Sequence, residues 1–227
     1  MDLEQARFNM IEQQIRPWDV LDADVLELLT LVKREAFVPP AYRSMAFVDA
    51  EIPLPGGENM LQPKFEARIL QELIIKKHEQ VLEIGTGSGY LAALMAYRAR
   101  AVTTVEIVPE LVAMARANLA AYGIDNVDVE LGDGVCGWPA PDNKARGIFA
   151  RQAYDVIVLS GSLPVLPQQL MQQLKIGGRM FVVSGEIPAM SAQVVTRMSD
   201  AGFNIVKRFE TVLKPLRNNL QPSRFTF

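Results

Sequence analysis

Val81-Leu82-Glu83-Ile84-Gly85-Thr86-Gly87-Ser88-Gly89-Tyr90 is the stretch on which the fold of this chain turns. An apolar run ends in an acid, bends through three alternating glycines and opens into the apolar segment that starts at Tyr90. A short apolar run bounded by glycine reads as a buried strand, and the helical spacing beyond it completes a strand, turn and helix. Glycines let the backbone turn tightly and leave bare main chain against which a flat, bulky ligand can lie. Dinucleotide binding requires G-x-G-x-x-G, which sets a helix amino end against a pyrophosphate. Here the third glycine, Gly89, comes one residue early.

Downstream of this unit the signals alternate. Strands are predicted over Gln80–Ile84, Val102–Ile107, Val127–Leu131, Tyr154–Leu159 and Arg179–Val183, with helices over Tyr90–Arg98, Pro109–Tyr122 and Pro167–Leu174. Such alternation implies a mainly parallel sheet covered on both faces, with ligands at the carboxyl ends of its strands where the strand order reverses. Ser191–Met198 reads as one more helix, and Phe203–Thr211 with Ser223–Phe227 as an antiparallel pair at one sheet edge. Upstream, Phe8, Ile11 and Ile15, then Val25, Leu28, Leu29 and Val32, recur at helical spacing, broken at Pro17-Trp18-Asp19. A helix is also expected from Glu66 through Ile75. The fold class is therefore α/β: a doubly wound, mostly parallel seven-stranded sheet of the Rossmann-like kind with an antiparallel edge. Residues 1–65 form a helical cap and loop within one domain spanning 1–227.

Composition narrows the function. The 227 residues are 49% hydrophobic, enough for a substantial core. The formal net charge of -3 supplies no long-range basic field for phosphates, which disfavours duplex nucleic acid as a partner. Cys136 is the one cysteine, and Met1-Asp2-Leu3-Glu4 lacks the basic and then apolar pattern of a secretory signal, so a reducing, cytoplasmic home is expected. No apolar stretch approaches the roughly 20 residues that cross a bilayer. His78 is the single histidine and sits beside two lysines, where it reads as a solvated surface residue. No metal site is expected.

The E-x-G-x-G-x-G form resembles the first motif of the S-adenosylmethionine (AdoMet)-dependent methyltransferases, where the loop passes under the amino-acid half of the cofactor. That resemblance implies that Glu83 anchors the cofactor's ammonium group and that Gly85, Thr86, Gly87 and Gly89 cradle it. Glu106, followed by Ile107, ends the next strand about twenty residues on, where a carboxylate can accept both ribose hydroxyls. Asp133, between Gly132 and Gly134, can accept from an adenine amino group while its neighbours admit the ring.

With these residues placed, the chain resembles the protein-L-isoaspartate O-methyltransferase family over most of its length. Met10–Ile15, Arg34–Pro39, Ala46–Asp49 with Pro53-Leu54, Gln62-Pro63, the Glu83–Tyr90 loop and Gly132–Gly134 followed by Gly137-Trp138 match its landmarks in order. The resemblance implies methylation of the misplaced carboxylate of isomerised aspartyl residues in damaged proteins, giving an ester that closes to a succinimide. A carboxylate is ionised at neutral pH and attacks a sulfonium methyl without a general base, so the near absence of histidine fits. The family's acceptor loop reads Gly-Gln-Thr-Ile-Ser-Gln-Pro, whereas this chain has Gly57-Glu58-Asn59-Met60-Leu61-Gln62-Pro63. Leu61 thus stands where the family serine orients the acceptor, and has no hydroxyl; the Asn59 amide is the candidate substitute. Ser160-Gly161-Ser162-Leu163-Pro164 follows the fourth strand, and Ser160 and Ser162, with Gln62, are candidates for the acceptor side or a polar turn. In the tail, Pro215-Leu216 and Gln221 are in register with the family. Other readings stay open: the same scaffold with a small-molecule or different protein acceptor, a non-catalytic AdoMet-binding module, and a nicotinamide-dependent oxidoreductase.

Overall fold

The computed structural model describes residues 2–138 and 154–218 and opens with helices α1 (Leu3–Met10) and α2 (Ala23–Leu31). Each begins on an aspartate whose carboxylate accepts two first-turn N–H groups, Asp2 from Glu4 and Gln5, and Asp22 from Asp24 and Val25. Between them lie a π-helical stretch, Ile11–Ile15, and a 3-10 turn, Arg16–Trp18, so the chain breaks where Pro17 predicts. The wider π turn brings Ile15 onto the face of Arg7, Met10 and Ile11, all buried. Phe8, expected on that same face, is left outside at 57% exposure.

A hairpin of β1 (Ile52–Pro53) and β2 (Asn59–Met60) carries the Gly57–Leu61 loop. Helix α3 (Pro63–Leu73) starts three residues ahead of the expected Glu66, because proline at the first helical position needs no N–H partner. The alternating unit follows as β3 (Gln80–Ile84), α4 (Tyr90–Ala96), β4 (Ala101–Glu106), α5 (Pro109–Tyr122) and β5 (Val127–Leu131). Beyond it come β6 (Tyr154–Leu163), α6 (Gln168–Gln173), β7 (Leu174–Ser184), β8 (Ser191–Arg197) and β9 (Phe203–Glu210).

Strands β3 to β9 form one seven-stranded sheet in the order β5-β4-β3-β6-β7-β8-β9. The chain leaves β3 toward β4 and β5, then returns to β6 on the other flank of β3, so the crevice at the carboxyl ends of β3 and β6 is the reversal point. Two expectations need correction. Ser191–Met198 is no helix but strand β8, antiparallel to both β7 and β9. Its Val194-Val195-Thr196 run favours a pleated strand over a helix, and five of its first residues in succession are buried. Among the described residues Phe203–Glu210 pairs with β8; its expected partner Ser223–Phe227, and Gln221, lie outside them. The polar turn expected at Ser160–Ser162 is instead a continuation of β6 to Leu163.

Period-two alternation splits the sheet between two apolar layers. Val81, Val102, Val156 and Val158 join Ile15, Val25, Leu29 and Phe37 of the cap in one layer, so cap and sheet share a continuous core. Leu82, Ile84, Val105, Ile157 and Leu159 join Leu170 and Met180 in the other. Glu83, Thr104 and Ser160 are polar residues in phase with the first set, and all three therefore face the cap side at the crevice.

Candidate active site

Strand register brings the first site residues together. Glu83 and Thr104 are direct partners across the β3–β4 pair. The Thr104 hydroxyl donates to Glu83 Oε2 at 2.6 Å, and the Ser160 hydroxyl donates to Glu83 Oε1 at 3.0 Å. Thr86 Oγ1 lies 2.6 Å from Thr104 Oγ1, tying the glycine loop to the same network. Glu83 is fully buried, and burial pushes its carboxyl up to about 8. The two hydroxyls pull against that rise, whereas the nearby Glu106 and Glu66 add to it.

Gly85, Gly87 and Gly89 all adopt left-handed φ, at 96°, 54° and 86°. At Gly89 a Cβ would also press on Ala115 of α5 at 3.3 Å, so the glycine lets α4 and α5 approach. Glu106 anchors the turn from the next strand: its two oxygens accept the Gly87 and Val108 N–H groups, each at 3.0 Å. A carboxylate has about four acceptor sites, which leaves lone pairs for a ligand. At Gly134 a Cβ would lie 2.4 Å from Ile84 Cδ1, so any larger residue would push into the crevice floor. Asp133 is exposed at the rim, accepting the Val135 N–H at 3.1 Å and the Asn218 amide at 3.0 Å.

Glu83, Gly85, Thr86, Gly87, Glu106, Asp133, Gly134 and Ser160 line a cleft that opens to solvent, together with Ile107, Leu61, Asn59 and the Leu213–Arg217 segment, whereas Gly89 and Thr104 are not among its lining residues. Its chemistry suits AdoMet: a buried acid for an ammonium at Glu83, a strand-end carboxylate for a diol at Glu106, and bare glycine backbone between them. No clustered N–H cradle for a pyrophosphate is needed by this arrangement, since Glu106 already occupies the Gly87 N–H.

On the acceptor side the structure redistributes the sequence candidates. Leu61 lines the cleft, and its carbonyl accepts from Arg34 Nη2 at 2.7 Å. The Asn59 amide donates to Glu51 Oε2 at 2.8 Å, so one of its two hydrogens is already committed. Gln62 caps α3 through its backbone carbonyl, which accepts from Phe65 and Glu66, and is not among the cleft-lining residues. Ser162 is buried with its hydroxyl on the Leu213 carbonyl at 2.7 Å. Its backbone bonds to Lys214 and Leu216, so it secures the Leu213–Leu216 segment rather than facing the cleft.

Sequence reading missed three contributors. Arg34 and Glu66 form a buried ion pair beneath Leu61, with Arg34 also 5.0 Å over the Tyr90 ring. Burial raises the Glu66 carboxyl against the pull of Arg34. Thr104 could have been found, because a threonine pair inside the otherwise apolar Val102–Val105 strand must satisfy its hydroxyls. Within the Leu213–Arg217 segment only Pro215-Leu216 carried a signal, as a family landmark. Replacing Glu106 by Ala removes the acceptor of the Gly87 and Val108 N–H groups, and AdoMet affinity is expected to fall by about 1–3 kcal/mol. Titration calorimetry on the folded variant checks this, and wild-type affinity would remove Glu106 from the cofactor site.

The model of the protein-L-isoaspartate(D-aspartate) O-methyltransferase family matches residues 5–221. The chain belongs to this family. It is an AdoMet-dependent methyltransferase by that membership, on the sheet described above. Among its relatives, the protein-L-isoaspartate O-methyltransferase of Rhodopseudomonas palustris is 39% identical over 195 residues, 86% of this chain and 85% of its own. Protein-L-isoaspartate O-methyltransferase 2 of Marinobacter nauticus is 37% identical over 205 residues, 89% of this chain and 88% of its own. A solved protein-L-isoaspartate O-methyltransferase superposes with a TM-score of 0.77 at 26% identity, covering 96% of this chain and 67% of the other. A Plasmodium falciparum protein described as a beta-aspartate methyltransferase, solved with S-adenosyl-L-homocysteine, also superposes with a TM-score of 0.77. It is 20% identical and covered in full by 96% of this chain, a likeness that speaks to the fold.

Proposed function

We propose that this chain methylates the carboxylate of isoaspartyl residues in damaged proteins or peptides, in a cytoplasmic repair role, with no nucleic acid or membrane as partner. The observation that carries this reading is the cleft itself, which joins the Glu83–Gly89 loop to the hairpin loop at Leu61 within a chain of this family. Among the described residues no helix is long and apolar enough to cross a membrane.

Glu83 and Glu106 would hold the cofactor's ammonium and ribose hydroxyls, and Asp133 the adenine amino group. Bound there, AdoMet supplies an electrophilic methyl on sulfur. An ionised acceptor carboxylate is already a nucleophile, so the chain's task is alignment and exclusion of water rather than proton removal. Leu61 and Met60, both buried, give the acceptor wall an apolar surface that weakens hydration of an incoming carboxylate. Arg34 fixes the Leu61 backbone, and through it the wall, without entering the cleft.

The test is radiolabelled methyl transfer to an isoaspartyl peptide and its normal aspartyl twin. Base-labile label on the isoaspartyl peptide alone is expected. Tight AdoMet binding with no label on either peptide would move the assignment to another acceptor. Leu61→Ser is expected to raise the isoaspartyl rate by supplying a hydroxyl donor at the wall; an unchanged rate would show that acceptor recognition rests elsewhere in the cleft.

A further inference from the structure

An anionic acceptor meets an electrostatic obstacle at this cleft. Glu51, Glu58, Glu106 and Asp133 line it, besides Glu66 and Glu83, whose carboxyls burial raises. Each ionised carboxylate near an incoming one costs about 1 kcal/mol at 4 Å in water, and more where the dielectric falls. Few neutral donors offset this at the hairpin side: Ser160 bonds Glu83, Asn59 spends one amide hydrogen on Glu51, and Leu61 has none.

Two cations share the lining, Lys214 and Arg217, from the segment that Ser162 secures. Both reach across to one carboxylate, Glu58 of the hairpin loop: Lys214 Nζ stands 2.9 Å from Oε2 and Arg217 Nε 2.7 Å from Oε1. Lys214 Nζ also donates to the Gly57 carbonyl and Arg217 Nη2 to the Gly56 carbonyl. One acid between two cations leaves a positive charge uncancelled within the trio. Lys214 and Arg217 are 41% and 46% exposed, so both side chains can change partner without unpacking a core.

Resting on the carboxylate-acceptor reading, we infer that Lys214 and Arg217 determine acceptor specificity by receiving the acceptor's carboxylate at the cleft mouth, with Glu58 as the internal anion that it displaces. The exchange of one carboxylate for another is close to neutral in charge, and a guanidinium can fork both oxygens of the newcomer. An uncharged acceptor gains nothing from the exchange, so the trio discriminates against neutral side chains.

Steady-state kinetics on an isoaspartyl peptide, with AdoMet affinity measured separately by titration, test this. Lys214→Met and Arg217→Gln are each expected to raise the peptide KM several-fold, and the double variant by about 10- to 100-fold. The loss falls on KM rather than kcat, AdoMet affinity holds, and the rise of KM with salt is blunted in the double variant. Glu58→Gln separates this from a purely structural latch: loss of the competing anion lowers KM, whereas loss of a latch raises it and weakens AdoMet. A raised KM in Glu58→Gln, or unchanged KM in the double variant, overturns the inference. Weakened AdoMet binding with unchanged peptide KM would assign the cations to the cofactor's own carboxylate and overturn it equally. A wild-type enzyme that binds AdoMet but neither binds nor methylates the peptide sinks the acceptor reading and this inference together; an active wild type with indifferent variants sinks the inference alone.

Discussion

Arg34→Met is expected to destabilise the protein by about 3–5 kcal/mol at neutral pH, because it leaves the Glu66 carboxyl in a buried site without its partner. Arg34 is 1% exposed and Glu66 2%, so water cannot replace the lost cation. The variant also frees the Leu61 carbonyl and removes the cation over Tyr90. Urea denaturation at pH 7 measures the loss. Replacing both partners, as Arg34→Met with Glu66→Leu, should recover much of it, since an apolar pair of similar volume pays no desolvation penalty. Without Arg34 the Glu66 carboxyl rises further, so the single variant should lose stability relative to the wild type as pH climbs above about 7. A loss below about 1 kcal/mol for the single variant would mean that the pair is hydrated and not a support of the acceptor wall.

The second large effect concerns pH. Glu83 titrates near 8 in the folded protein against an ordinary 4.5, with burial as the leading cause. Between these values the folded chain keeps a proton that the unfolded chain has released. Stability of the ligand-free protein therefore falls as pH rises through that window, and the decline is complete above about 8. For a group so deeply buried the span is on the order of a few kcal/mol. Glu66 contributes in the same direction, so the comparison of wild type with Glu83→Gln isolates the Glu83 part. Denaturation at pH 5 and pH 8 should show a shallower decline in the variant; identical slopes would mean that Glu83 is ionised throughout. If an ammonium group docks at Glu83, it favours the ionised carboxylate. AdoMet affinity then rises with pH up to about 8, and binding releases protons, which calorimetry in buffers of different ionisation enthalpy detects. Proton uptake on binding would place the ammonium elsewhere.

Much of this site was legible because it obeys short-range rules. Glycine spacing, an acid at a strand end and period-two alternation are local, and they placed Glu83, Gly85–Gly89 and Glu106 on successive elements before any contact was seen. What failed was non-local. Ser191–Arg197 is apolar enough for either helix or strand, and only its antiparallel partners β7 and β9 make it a strand. Ser162 and Asn59 were plausible acceptor contacts as residue types. Their hydroxyl and amide are taken by Leu213 and Glu51, partners 51 and 8 positions away that no spacing rule identifies.

The amino-acid sequence by itself determined the strand–turn–helix at Glu83–Tyr90, the alternating α/β order and the family, because each is written in nearest-neighbour chemistry. The tertiary structure alone decided that Glu83 is sealed between Thr104 and Ser160, that the Arg34–Glu66 pair braces the Leu61 side of the cleft, and that Lys214 and Arg217 meet Glu58 across the cleft. Those juxtapositions join residues from 21 to 159 positions apart, and the charge and burial that govern them exist only once the chain has folded.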